Sequence, residues 1–376
     1  MCQFHDYPFS RRRFMAFSAT TGAGMLSASL SAQDSASGDT MQQLTFIKPG
    51  TLEWREVPKP TIQGPKEAIV RPIAVARCDV DFAIYTGLFP AQGPFAVGHE
   101  FNGEVVEVGE GVKNFKVGDE VICSFQIACG ECEYCRRGQA RSCTAVTRGA
   151  MYGFNRGYGG AHSDYVHVPF ADYMLIEKPA SLDPVSIASI SDNVIDGWRT
   201  VAPYIEDSIH GDVLVMGGVA RSIGLYAAGI AVGLGASRVD YVDTDHDRLA
   251  IAESVGANVI EGPAPEQLGP YDITVDTSNN PQALQCALRS VRPEGICTSV
   301  GIYLAPGTPL PLGDMYSIGV TFKTGRINSR PNLPKVLEMV LEGKFNPESI
   351  TTRTASWEDA PEALLDPSAK IIIHRN

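Results

Sequence analysis

At 376 residues the chain is long enough for two domains, each able to bury its own core. Asp and Glu number 43 against 31 Lys and Arg, and the resulting net charge of -12 argues against nucleic acid or an anionic membrane as partner, because both need a basic surface. The rest of the composition is that of an ordinary globular protein, apart from nine cysteines that need an explanation.

Chain order begins with Ser10-Arg11-Arg12-Arg13-Phe14-Met15, followed by an apolar stretch rich in Gly, Ala and Ser over residues 16–32, with no acidic residue until Asp34. That is the layout of a twin-arginine signal, an address read by a receptor. The stretch holds too many Ser, Thr and Gly to make a stable membrane-spanning helix, so no membrane span is expected. Residues 1–40 therefore read as a signal segment, and the folded chain as exported to the periplasm. The competing reading starts translation at Met41, where the folded pattern begins, and leaves the protein in the cytoplasm.

From residue 44 to 56 the sequence predicts short strands broken by Pro49-Gly50 and then by Pro58 and Pro60. Further strands are expected over residues 68–73 and 103–108, with Gly-rich turns between, so a β-rich domain occupies residues 41–183. Two chemical features lie inside it. Cys78 stands in Ala76-Arg77-Cys78-Asp79-Val80-Asp81, and His99 in Gly98-His99-Glu100. Further on, Cys129, Cys132, Cys135 and Cys143 form the ladder C-x2-C-x2-C-x7-C. Four thiolates on so short a loop can close a tetrahedral shell around Zn2+, whereas adjacent C-x2-C pairs strain a disulfide. Such a closed site is structural. Cys123, Cys286 and Cys297 read as small buried hydrophobes.

The texture changes after Asp183-Pro184. Strands are predicted at 212–216, 238–243, 272–275 and 295–300, and helices at 222–234 and 247–255. Strand and helix alternating at this spacing mean a parallel sheet wound on both faces, over residues 184–321. Residues 322–376 return to mixed elements, with a helix at 333–341 and a final strand at 371–373. The first crossover turn reads Met216-Gly217-Gly218-Val219-Ala220-Arg221-Ser222-Ile223-Gly224. No Gly-x-Gly-x-x-Gly fits it; Gly218 and Gly224 are kept, and Arg221 stands where the middle glycine usually lets the backbone approach a pyrophosphate. Arg221 and Ser222 are the candidate phosphate contacts of that turn. Asp243 ends the next strand about twenty residues on, where a carboxylate accepts hydrogen bonds from the adenosine ribose. Asp243 and Asp245 together would repel a 2'-phosphate, which favours NAD over NADP.

The ladder, the Gly98-His99-Glu100 block with its run of Gly103, Val105, Val108-Gly109 and Val117-Gly118-Asp119, and Asp243 together resemble the zinc-dependent medium-chain alcohol dehydrogenases, from residue 44 to 373. The resemblance implies an α/β molecule: a β-rich GroES-like catalytic domain of residues 41–183 with 322–376, plus a doubly wound Rossmann cofactor domain of residues 184–321. It implies two Zn2+ per chain, one structural, and one catalytic at Cys78, His99 and Asp192, with Glu100 as an alternate or supporting ligand and Asp81 orienting His99. The usual third Cys ligand is excluded, since no Cys lies between Cys143 and Cys286. The implied activity is hydride transfer between an alcohol, or an aldehyde or ketone, and NAD, in a homo-oligomer of two or four chains. One departure stands out: Val80 and Ala83 occupy positions where relatives carry proton-relay groups, and Asp79 replaces what is in some relatives a basic phosphate contact. The rival readings are a cofactor-retaining dismutase, and a non-catalytic protein that binds zinc and nucleotide.

Overall fold

The structure, a computed structural model, describes residues 39–375 apart from 155, 156, 206 and 210. The twin-arginine segment lies outside the described residues. Residues from Asp39 onward form one compact unit.

The chain opens with a long hairpin, β1 (Thr40–Lys48) and β2 (Thr51–Pro58), turned at Pro49-Gly50 with Gly50 at φ +76°. Next come β3 (Ala68–Ala76), the short helix α1 (Asp79–Tyr85), β4 (Phe95–Ala96), β5 (Glu100–Val108) and β6 (Glu120–Cys123). The cysteine loop follows with α2 (Glu133–Arg136), then β7 (Val166–Val168), α3 (Ala171–Met174), β8 (Leu175–Glu177) and α4 (Asn193–Ile205). β4 joins the hairpin in a three-stranded sheet, while β3, β5, β6, β7 and β8 build most of a seven-stranded one. Its apolar face, with Phe101, Val105, Val121 and Ile373, packs on Leu44 and Phe46 of the hairpin as one core.

The second half alternates as its apolar runs demand. β9 (Asp212–Met216), α5 (Arg221–Gly233), β10 (Arg238–Asp243), α6 (His246–Ser254), β11 (Asn258–Glu261), β12 (Tyr271–Asp276), α7 (Pro281–Arg289), β13 (Val291–Ser299), α8 (Leu312–Ile318) and β14 (Thr321–Thr324) follow in order. The six strands are all parallel, in the order β11-β10-β9-β12-β13-β14. β12 is buried at every residue, as a strand covered on both faces must be. The strand order reverses between β9 and its neighbours β10 and β12, and a crevice outside the carboxyl ends of a parallel sheet forms at such a point. β14, from Thr321 to Thr324, runs past residue 321 and closes this sheet's far edge. The chain then returns through α9 (Ser329–Leu341), β15 (Arg353–Ser356), α10 (Ala360–Ala363) and β16 (Ile371–His374); β15 and β16 complete the seven-stranded sheet. β16 pairs with β3, so the C-terminal strand lies beside the segment that carries Cys78.

Among the described residues, no helix is long and apolar enough to cross a membrane.

Candidate active site

Three element ends converge. Cys78 is the N-cap of α1 just past β3, His99 immediately precedes β5, and Asp192 immediately precedes α4. One ligand atom from each lies within 4.8 Å of the others, and all three residues are buried. His99 Nε2 stands 3.1 Å from Asp192 Oδ2, and its other nitrogen, Nδ1, faces Asp81 Oδ1 at 3.5 Å. Asp81 in turn accepts the Cys78 backbone N–H at 3.1 Å, closing the first turn of α1 around the thiol. Asn193 Nδ2 donates toward Cys78 Sγ at 3.1 Å and Asp192 Oδ2 at 3.3 Å, which fixes both side chains. The rings of Phe125 and Phe154 flank the His99 imidazole.

The electrostatics ask for a cation. Burial pushes the Cys78 thiol well up, and Asp192, Asp81, Glu100 and Asp79 push it further. Burial alone would lower the His99 pKa, but Asp81 and Asp192 outweigh it and carry it up to about 9. A sulfur, an imidazole and a carboxylate facing one point in a ring of acids fit a zinc ion, which would relieve that repulsion.

The ladder also closes on itself. Cys143 Sγ lies 3.6 Å from Cys129 Sγ and 3.9 Å from Cys132 Sγ, and all four cysteines are free. A tetrahedron of Zn–S bonds has an edge of about 3.8 Å, while a disulfide needs about 2.05 Å. Backbone N–H groups of Cys129, Glu131 and Cys132 point at ladder sulfurs at 3.4 Å each, as thiolate ligands require. The four therefore fit a closed metal site.

Next to the first trio, a cleft of about 430 Å³ runs from Cys78, His99 and Asp192 to the turns after β9, β12 and β13. At the β9–α5 turn, Gly218 has φ +154°, and a Cβ there would lie 2.7 Å from Ser278 Cα. A Cβ on Gly224 would meet Thr277 Oγ1 at 2.6 Å. Both glycines thus let helix and turn pack against the loop after β12. Asp243 is buried at the end of β10, with Oδ1 accepting from Arg248 Nη2 at 2.7 Å and Oδ2 from Arg248 Nε at 2.8 Å. Asp245, not Asp243, caps α6.

Comparison with known proteins agrees with this geometry. The alcohol dehydrogenase GroES-like domain matches residues 64–180, and the zinc-binding dehydrogenase pattern matches residues 222–342. An alcohol dehydrogenase of Geobacillus stearothermophilus is 30% identical over 324 residues, 83% of this chain and 90% of that one. The chain belongs to the zinc-dependent medium-chain alcohol dehydrogenase family. An L-threonine 3-dehydrogenase of Shewanella loihica is 31% identical, over 73% of this chain and 79% of its own length. Among solved structures, an alcohol dehydrogenase from Thermus sp. ATN1 superposes with a TM-score of 0.79 at 29% identity, covering 89% of this chain and all of that one (100%).

Two sequence-predicted site residues, Glu100 and Arg221, do not face the convergent trio or the turn directly. Glu100 lies outside the convergent trio: its Oε1 accepts the Asn193 N–H at 2.7 Å and its Oε2 pairs with Lys370 Nζ at 2.6 Å. It opens β5 directly after His99, and successive strand side chains face opposite ways. Burial carries its carboxyl up to about 7 against the pull of Lys370. Arg221 starts α5, yet its guanidinium lies 4.3 Å over the Phe82 ring and donates to the Pro367 carbonyl.

Sequence reasoning missed Lys370, Asn193 and the partner of Asp79. Lys370 is fully buried and holds Glu100, Asn193 Oδ1 at 2.7 Å and the Arg77 carbonyl at 3.0 Å. A lysine five residues before Arg375 gives no local signal; only β16 lying beside β3 brings it to the site. Asn193 follows Asp192 directly and could have been found by asking which side chain orients the ligands.

Proposed function

We propose that this dehydrogenase transfers hydride between a small alcohol, or the matching aldehyde or ketone, and NAD. The observation that carries the reading is the buried Cys78–His99–Asp192 trio at one end of a cleft whose other walls are the turns at the carboxyl ends of the parallel sheet. Zinc held by these three residues supplies a Lewis acid that makes a hydroxyl proton easier to lose. NAD bound at the glycine turn supplies the hydride acceptor. The chain's own residues do the remainder. Asp81 holds the His99 ring through Nδ1, and Asn193 holds Cys78 and Asp192. Val80, Ala83, Phe89 and Ile302 line the cleft and favour an apolar substrate body. Val80 and Ala83 cannot pass a proton, and both Glu100 oxygens are engaged, so water in the cleft is the exit route for it.

A carboxylate at the carboxyl end of β10, Asp243, supports NAD over NADP, with Arg248 paired to both of its oxygens. The second zinc belongs to Cys129, Cys132, Cys135 and Cys143, giving two per chain. A homo-oligomer, dimer or tetramer, is supported by the flank of the parallel sheet: β14 is its edge strand, α8 has no buried residue, and Leu304, Leu312 and Tyr316 stand exposed. The twin-arginine motif supports export.

The test is an alcohol panel followed at the reduced-nicotinamide absorbance band, with NAD and NADP supplied separately. Turnover with NAD, lost in a folded His99→Ala variant, is expected. Absence of reduction with either cofactor across the panel, or a preference for NADP, sinks the reading.

A further inference from the structure

A dinucleotide's pyrophosphate sits on the N-terminus of the helix after the first strand of a doubly wound sheet, held by backbone N–H groups and the helix dipole. Here that helix is α5, and its terminus is already occupied by an anion from the chain itself. Asp79, beside Cys78 on α1, accepts the Ser222 N–H at 3.2 Å and 3.0 Å on its two oxygens and the Ile223 N–H at 3.2 Å. The Ser222 hydroxyl stands a further 3.0 Å from Asp79 Oδ1. The carboxylate is only 8% exposed. Preceding amides of the turn are spent too: Val219 N–H donates to the Ser278 carbonyl and Ala220 N–H to the Thr277 carbonyl. The cations that face Asp79, Lys370, Arg77 and Arg221, are each tied to other partners, Arg77 to the Leu364 carbonyl at 3.1 Å. Arg221 is stacked on Phe82 and bonded to Pro367, and Lys370 is bound to Glu100.

We infer that Asp79 sets the cofactor affinity of this enzyme: its carboxylate holds the place of the pyrophosphate on α5, so the dinucleotide binds weakly and exchanges readily. The inference rests on the nicotinamide reading above and deepens it, by opposing a tightly retained cofactor. An incoming pyrophosphate must displace the carboxylate from three hydrogen-bond donors, or bind beside a like charge in a buried site.

The experiment is a direct NADH titration of the zinc-loaded full chain, by protein fluorescence or calorimetry, with no substrate present. Asp79→Asn keeps the shape and removes the charge, and its Kd for NADH should fall about tenfold below wild type. Zinc content and thermal midpoint certify that the variant is folded, and Asp79→Ser serves the same comparison if it is not. An unchanged or higher Kd in a folded variant overturns the inference while leaving the nicotinamide reading intact. Failure of wild type and variants alike to bind NADH or NADPH overturns both.

Discussion

At the level of single side chains, the site shows what a linear sequence carries and what it hides. Cys78, His99 and Asp192 were legible because each matches a pattern at fixed spacing, and the fold brings them together. Glu100, expected as an alternate or supporting ligand, stands behind the trio, bonded to Asn193, which itself holds Cys78 and Asp192. Asp79 was legible only as an oddity beside Cys78, since its partners Ser222 and Ile223 lie more than 140 residues away, at separations of 143 and 144. His162 gave no signal at all. Its ring is fully buried, neither nitrogen has a partner, and it packs 6.0 Å from the Trp357 ring. Burial drives its pKa from 6.5 down to about 3, so the folded protein keeps it neutral. Below pH 6.5 the unfolded chain takes up a proton that the native state refuses, and stability falls as pH drops toward about 3. His162→Phe removes that term. The variant should lose less thermal stability than wild type between neutrality and about pH 4, and equal slopes in the two proteins would show that His162 is not the group responsible.

At the level of elements, burial explains which strands could be read. β9 is an apolar run, Val213 to Met216, and is marked by the sequence with no ambiguity, while β12 alternates Tyr271, Ile273 and Val275 with polar residues yet is buried throughout. β14 was placed outside the parallel sheet because Thr321–Thr324 is a short, mostly exposed edge strand whose membership depends on pairing with β13, not on composition. β11 has the same weakness: it is largely exposed and joins the sheet only through β10. The cysteine loop is the opposite case. Its helices are a four-residue α-helix and a three-residue 3-10 turn, and its apolar cluster is little more than Ala128, Ala140 and the cysteines themselves. So small a cluster cannot hold a loop by burial, and the ligand spacing predicts that metal must do it. Cys129→Ser should therefore lower zinc content by about one ion per chain and depress the thermal midpoint by several degrees, at about 4 °C or less per kcal/mol for a chain this size. The trio at Cys78 should keep its own zinc. A variant with full metal content and an unshifted midpoint would refute a structural role for the ladder.

At the level of the whole molecule, the compact unit starts at Asp39 and its first strand at Thr40, directly after the segment that carries the arginine motif. Everything that builds the site comes from the later unit, from Cys78 in the first half to Lys370 beside the end. A chain shortened to residues 39–376 should thus match the full chain in zinc content, thermal midpoint and NADH affinity. The twin-arginine route carries proteins already folded, which suits a chain whose seven proposed metal ligands include five thiolates, Cys78 and the ladder. Crossing unfolded would expose those thiols to oxidation before zinc could protect them. The proposed export would take the enzyme away from the cytoplasmic nicotinamide pool, and Asp79 of α1, bonded to the N-terminus of α5, would oppose carrying the cofactor along. Cell fractionation with nucleotide analysis tests the two features separately. The full chain should appear outside the cytoplasm, folded and zinc-loaded but with its nucleotide site largely empty, while the shortened chain stays inside. Both forms confined to the cytoplasm would defeat export, and an exported form carrying one NAD per chain would defeat the weak-binding account of Asp79.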